Sequence, residues 1–170
     1  MISLRKTLSE AHEALLAQSV SHALIGGFAL AAYGQHRATA DIDFLADGTK
    51  RQAIRSSLES RGFVVVNETS EVIQFEGLGY LDVLLANRPL SQKMLKHAIE
   101  NLELGIYVVR PEDIVGLKIQ AYKNDRSREL QDKADIQRLM KLPDIDLGLV
   151  KTYADLFDEW TAIQNLMRPS

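Results

Sequence analysis

Gly26-Gly27-Phe28-Ala29-Leu30-Ala31-Ala32-Tyr33-Gly34-Gln35-His36-Arg37-Ala38-Thr39-Ala40-Asp41-Ile42-Asp43 is the stretch whose reading decides the fold. A glycine pair ends the short apolar run Val20 to Ile25, which reads as a strand. Phe28 to Tyr33 is rich in alanine and leucine and predicts about two turns of helix, closed by Gly34. Gln35 to Ala40 is polar and loop-like, and Asp41 to Ala46 reads as the next strand. Glycines let a phosphate approach the backbone, and the N–H groups that open a helix favour an anion. A glycine pair alone is equally a plain strand-to-helix turn. Side chains alternate along a strand, so Asp41 and Asp43 share a face, with Cα atoms about 6.6 Å apart. Ile42 and Phe44 point the other way, into the core. The spacing suits two carboxylates converging on one or two divalent ions, and hard oxygen donors favour Mg²⁺, with Mn²⁺ as the substitute.

A third acid completes the pattern. Tyr80-Leu81-Asp82-Val83-Leu84-Leu85 places an aspartate inside an apolar strand, where a carboxylate is costly unless paired or metal-bound. Neighbouring strands lie about 4.8 Å apart, so Asp82 reaches the same ions if its strand pairs with that of Asp41. The other reading is a solvated acid at a sheet edge.

Leu4, Leu8, Ala11, Leu15 and Leu16 recur at helical spacing and predict a helix over residues 3–18. Asp47-Gly48 signals a turn before a helix over 50–61, closed by Gly62. Strands follow over 63–66, 72–76 and 80–85, the last two joined as a hairpin by Gly77-Leu78-Gly79. Pro89 starts a helix to about Asn101, and 107–109 is a short final strand. Pro111 opens a helix to about Lys123, with Glu112 and Asp113 in its first turn, where they suit the helix dipole. Ser127 reads as the cap of a helix over 128–141. Pro143 interrupts, and 147–166 is helical. This order predicts an α/β (α+β) fold: a mixed sheet flanked by helices, with a C-terminal helical subdomain. The seam at Arg110-Pro111 divides it into 1–110 and 111–170, the latter packed on the core.

The formal net charge is −3, 46% of residues are hydrophobic, and there is no cysteine. The apolar content supports a core without disulfides, and thiolate metal sites are excluded. The mild acidity argues against tight non-specific binding of long nucleic acid. No run approaches the roughly 20 apolar residues of a membrane helix. Met1 to Gln18 carries Glu10 and Glu13 and lacks the apolar centre of a signal peptide. A cytoplasmic protein is the expectation.

Gly26-Gly27, thirteen further residues, Asp41-Ile42-Asp43 and a later strand bearing Asp82 together resemble the nucleotidyltransferase superfamily, the polymerase-β-like fold. Gly34-Gln35-His36-Arg37-Ala38-Thr39-Ala40-Asp41-Ile42-Asp43-Phe44 resembles a narrower group, the small nucleotidyltransferase toxins of abortive-infection toxin–antitoxin systems and their uncharacterised relatives. There an arginine and a serine or threonine precede the first aspartate, as Arg37 and Thr39 do here. The resemblance covers roughly residues 20–140. It implies a nucleotidyltransferase-like catalytic core in which Asp41, Asp43 and Asp82 are catalytic and hold Mg²⁺, and Gly26 and Gly27 contact the phosphates of a nucleoside triphosphate. The reaction implied is in-line attack of a hydroxyl on the α-phosphate, with pyrophosphate leaving.

The supporting residues each carry two readings. Arg37 is a forked phosphate contact or a solvated loop arginine. Thr39 orients an aspartate or a phosphate oxygen, or is an ordinary strand-entry residue. His36 reads as exposed rather than catalytic. Lys118, in Lys118-Ile119-Gln120-Ala121, matches the lysine that faces the triphosphate in the resembling toxins, or is a surface lysine. Arg128-Glu129-Leu130-Gln131-Asp132-Lys133-Ala134-Asp135-Ile136 is similar to a toxin motif of an arginine and two acids three residues apart, with Gln131 where relatives often carry lysine. Asp132 and Asp135 share a helix face, while Glu129 and Lys133 form an ordinary i,i+4 pair. Arg126 and Arg128 are further candidates for substrate contact.

Three functions fit this pattern: a Mg²⁺-dependent nucleotidyltransferase, a nucleotide-binding toxin–antitoxin or regulatory protein without turnover, and an antibiotic-modifying nucleotidyltransferase. The acceptor would be an RNA end, a protein hydroxyl or a small molecule, and an antitoxin protein is an expected partner. Asp155, Asp158 and Glu159 would favour a cationic acceptor, or form an acidic helix surface. Leu156, Phe157, Trp160, Ile163 and Leu166 predict an apolar stripe that docks on the core or forms a homodimer face.

Overall fold

The computed structural model describes residues 4–168, which divide into two compact units. The first takes the chain up to Ala32 and His36–Val109; the second takes Tyr33–Gln35 and the chain from Arg110 onward.

In the first unit the order is α1 (Leu4–Ala17), β1 (His22–Ile25), α2 (Gly26–Ala32), β2 (Asp41–Asp47), a 3₁₀ turn (Gly48–Lys50), α3 (Arg51–Ser60), β3 (Val64–Glu68), β4 (Val72–Glu76), β5 (Tyr80–Ala86), α4 (Pro89–Lys96), β6 (Ile99–Asn101) and β7 (Ile106–Val108). The strands form one mixed sheet in the order β3-β4-β5-β2-β1-β7-β6. The β2–β5 and β1–β7 pairs are parallel and the others antiparallel.

Alternation sets the faces. Ile42 and Phe44 of β2, Ile73 and Phe75 of β4, and Leu81 and Val83 of β5 are buried. Helix α1 buries Leu8, Ala11 and Leu15, and α3 buries Ile54 and Leu58. Each of these Leu, Ile, Val and Phe side chains contributes about 1.5–3 kcal/mol on burial. A one-residue slip of β2 would bring its two aspartates into this core, so packing pins the register. The Phe44 ring also meets His22 edge-on at 5.2 Å, and His12 of α1 hydrogen-bonds His22 (Nδ1 to Nε2, 2.8 Å).

The second unit holds α5 (Pro111–Asn124), a 3₁₀ turn (Arg126–Arg128), α6 (Glu129–Leu139), α7 (Leu147–Asp155) and α8 (Trp160–Met167). The start of α5 is anchored by Asp113, fully buried, which accepts hydrogen bonds from Arg110 Nε (2.9 Å), Arg110 Nη2 (3.0 Å) and the Tyr153 hydroxyl.

Several elements differ from the sequence expectation. Residue 3 of the first predicted helix lies outside the described residues. The helix from Pro89 ends at Lys96, and Ile99–Asn101 is instead the edge strand β6, antiparallel to β7. Ser127 does not cap α6: its N–H and hydroxyl donate to Asp125 Oδ1, and Asp125 caps the 3₁₀ turn that precedes the helix. The helix over 147–166 is two helices, broken where Asp158 adopts φ 55°. The predicted apolar stripe is therefore split: Ile163 is fully buried while Leu156 is exposed.

Candidate active site

Asp41 and Asp43 leave β2 on the face opposite Ile42 and Phe44, and all four follow from the period of two. The parallel pairing with β5 sets Asp43 directly beside Asp82. One carboxylate oxygen from each of Asp41, Asp43 and Asp82 lies within 4.8 Å of the others. All three side chains are half-buried. At separations of up to 4.8 Å and an effective dielectric of 20, two unit charges repel by about 3.5 kcal/mol or more before screening. The cluster therefore favours a cation. Its donors are all hard oxygens, the set that suits Mg²⁺ or Mn²⁺, and a soft-metal site is not formed here.

Two glycines bring the chain against these acids. Gly26 has φ +64°, and a Cβ there would fall 2.0 Å from Asp43 Oδ2. A Cβ on Gly27 would fall 2.7 Å from Thr39 Oγ1. The pair thus lets the β1–α2 turn close on the β2 entry. The Thr39 hydroxyl donates to Asp41 Oδ1 at 2.8 Å, so of its readings the aspartate-orienting one describes its contact here. Arg37 Nη1 donates to Ala38 O at 3.1 Å, and His36 is exposed.

Gln74 was not singled out by its sequence context, yet it sits opposite Asp82 in the β4–β5 register and its Nε2 donates to Asp82 Oδ2 at 3.0 Å. Asn67 Nδ2 in turn donates to Gln74 Oε1 at 2.8 Å. The available signal was a polar residue at the site-facing phase of an otherwise apolar strand, Val72-Ile73-Gln74-Phe75.

The remaining candidates lie in the second unit. Lys118 is buried, and its Nζ bridges Asp132 Oδ1 at 2.8 Å and Asp135 Oδ2 at 2.7 Å. Arg128 Nε reaches Asp132 Oδ2 at 3.3 Å, and Gln131 Nε2 donates to Asp135 Oδ1 at 3.1 Å. Arg126 is exposed and pairs with Glu129. Glu159 accepts from Tyr122 and Lys123 at 2.8 and 2.9 Å. Burial pushes its carboxyl upward, but these hydrogen bonds together with the charges of Lys123 and Lys133 hold it below its ordinary value. Asp155 and Asp158 are exposed.

No protein-family model matches the chain, and no curated protein matches it. Solved structures do. The crystal structure of ANT(2'')-Ia in complex with adenylyl-2''-tobramycin superposes with TM-score 0.61 at 16% identity, over 95% of this chain and 93% of that one. The lincosamide antibiotic adenylyltransferase LnuA, lincomycin-bound, gives 0.58 at 17% identity, over 80% and 96%. An antigenic nucleotidyltransferase-like protein from Paracoccidioides brasiliensis gives 0.57 at 18% identity, over 96% and 91%. At these identities the likeness is one of architecture, and by it the chain has the nucleotidyltransferase fold.

Proposed function

We propose that this protein is a metal-dependent nucleotidyltransferase that moves a nucleoside monophosphate from a nucleoside triphosphate to a hydroxyl acceptor. The observation that carries this reading is the in-register pairing of Asp43 with Asp82, which gathers three carboxylates within 4.8 Å on a sheet of this fold. Asp41, Asp43 and Asp82 would hold Mg²⁺ or Mn²⁺, which supplies charge neutralisation at the triphosphate and the attacking oxygen. Gly26 and Gly27 bring bare backbone against Asp43 and Thr39, where a Cβ would collide with those side chains, and they are the phosphate contacts in this proposal. Thr39 fixes the aim of Asp41. Arg37 offers a guanidinium in the same loop. Lys118 keeps the triphosphate contact assigned by the toxin resemblance, on condition that it exchanges Asp132 or Asp135 for a phosphate oxygen.

A small-molecule acceptor is supported by the likeness to two antibiotic-modifying structures, over 95% and 80% of this chain. A toxin role, with an antitoxin partner and an RNA or protein acceptor, is supported by the Gly34-to-Phe44 motif. Either setting is cytoplasmic in this proposal, and no helix among the described residues is long and apolar enough to cross a membrane.

The test is incubation with α-labelled nucleoside triphosphates, Mg²⁺, and either cell extract or a panel of hydroxylated antibiotics. Wild type should label an acceptor and release pyrophosphate, and Asp41→Asn and Asp43→Asn should do neither while folding normally. Equal labelling by all three proteins would refute the assignment. Mg²⁺-dependent nucleotide binding without pyrophosphate release would favour a binding protein instead.

A further inference from the structure

We propose that Gln74 and Asn67 are positioning residues for Asp82, a relay of side-chain amides from the sheet edge to the acid cluster; this rests on reading Asp82 as the third acid of a nucleotidyl-transfer site. The relay has one polarity. A carboxylate accepts and never donates, so Gln74 must turn its NH₂ toward Asp82 Oδ2, as it does at 3.0 Å. Its carbonyl then faces β3 and needs a donor, which Asn67 Nδ2 supplies at 2.8 Å. A donor on Oδ2 restrains rotation of the carboxylate and so the aim of both its oxygens.

The backbone is shaped to make this contact. Val65 pairs with Phe75, but Asn67 rather than Val66 pairs with Gln74, so Val66 is an extra residue in β3. In the unbulged register Val66 would oppose Gln74, and Asn67 would oppose Ile73 on the buried face. The bulge turns Asn67 onto the face of Gln74 and Asp82, the re-aiming for which such irregularities are used beside functional sites. The donor is also neutral. A lysine or arginine at position 74 would compensate Asp82 and compete with a divalent cation; a carboxamide orients the carboxylate and leaves its charge intact.

The test uses Gln74→Leu, which removes the donor at similar size, and Asn67→Asp, which is isosteric but accepts. With Asp at 67, Gln74 is drawn to turn its NH₂ outward and present oxygen to Asp82. Mn²⁺ affinity of the nucleotide-free protein, measured by electron paramagnetic resonance, should fall about 10-fold in either variant, with kcat falling similarly and triphosphate KM little changed. The double variant should be no worse than Gln74→Leu alone. In metal-free wild type, the Gln74 side-chain amide resonances should move on Asp82→Asn. Unchanged Mn²⁺ affinity in both single variants, or an amide signal indifferent to Asp82→Asn, overturns the relay. If Asp82→Asn itself leaves Mn²⁺ binding and transfer intact, the reading of the site fails, and the relay with it.

Discussion

Gly26→Ala perturbs the acid cluster without touching an acid. The added Cβ would lie 2.0 Å from Asp43 Oδ2, 2.6 Å from its Cγ and 2.9 Å from its Cβ. Turning the Asp43 carboxylate away clears the first two contacts but not the third, so backbone must also shift. The residue further holds φ +64°, a left-handed conformation that costs an L-residue about 1–2 kcal/mol. Overpacking adds about 1–3 kcal/mol, giving a total of about 2–5 kcal/mol. Gly62→Ala separates the two effects: it has φ +86° with nothing within 4 Å of the added Cβ, so it bears only the conformational cost. Urea denaturation should therefore show a larger loss for Gly26→Ala than for Gly62→Ala. Calorimetric Mn²⁺ titration should find affinity down at least about 10-fold in the first and unchanged in the second, and a shift of about 1 Å in Asp43 should lower transfer about 100-fold. Equal stability losses and equal Mn²⁺ affinity in the two variants would refute the claim that Gly26 is small because Asp43 is there.

Other perturbations bear on different parts of the chain. Thr39→Val keeps the shape but removes the hydrogen bond to Asp41 Oδ1, worth about 1 kcal/mol, and should lower turnover about fivefold in a steady-state transfer assay. Lys118→Met strands Asp132 and Asp135 without their buried cation and should cost about 3–5 kcal/mol in urea melts, much of it recovered by adding Asp132→Asn and Asp135→Asn. Burial holds His12 and His22 below the ordinary imidazole pKa, so the folded chain disfavours their protonation relative to the unfolded chain. Their contribution is complete above about pH 6.5 and is lost as pH falls through the lowered folded values. Thermal melts between pH 7 and 5 should show that decline, and His22→Gln should flatten it.

Much of this site was legible because it obeys a period of two. The alternation of Asp41, Ile42, Asp43 and Phe44 fixes which pair faces the core, and an acid amid Leu81, Val83 and Leu85 had few inexpensive explanations. What joins the two strands was not legible: the register Asp43↔Asp82 depends on a parallel pairing that no local signal specifies. The contribution of Gln74 depends on a second pairing and that of Asn67 on a bulge, so both lay beyond pattern reading. Strand β6 was missed because Ile99-Glu100-Asn101 continues a helix-compatible run with no proline or glycine between it and Lys96. The break between α7 and α8 was missed for a related reason. Asp158 takes the left-handed turn that glycine usually marks. Lys118 was named as a phosphate contact, but its present partners lie 14 and 17 residues further on, and only the packing of α5 against α6 reveals them.

The parallel pairing of β2 with β5 also has a kinetic meaning. Strands β3, β4 and β5 form a run of adjacent antiparallel partners, and β1 pairs with β2 across a single connection. Each of these subassemblies can form from contacts near in sequence. Neither contains the site, because Asp41 and Asp43 belong to one and Asp82 to the other. Their union closes a long loop, a slow kind of event, and it does so against the mutual repulsion of three carboxylates. Assembly of the acid cluster is therefore expected to follow that of the two local subassemblies, an order that φ-values measured in β2, β4 and β5 would check.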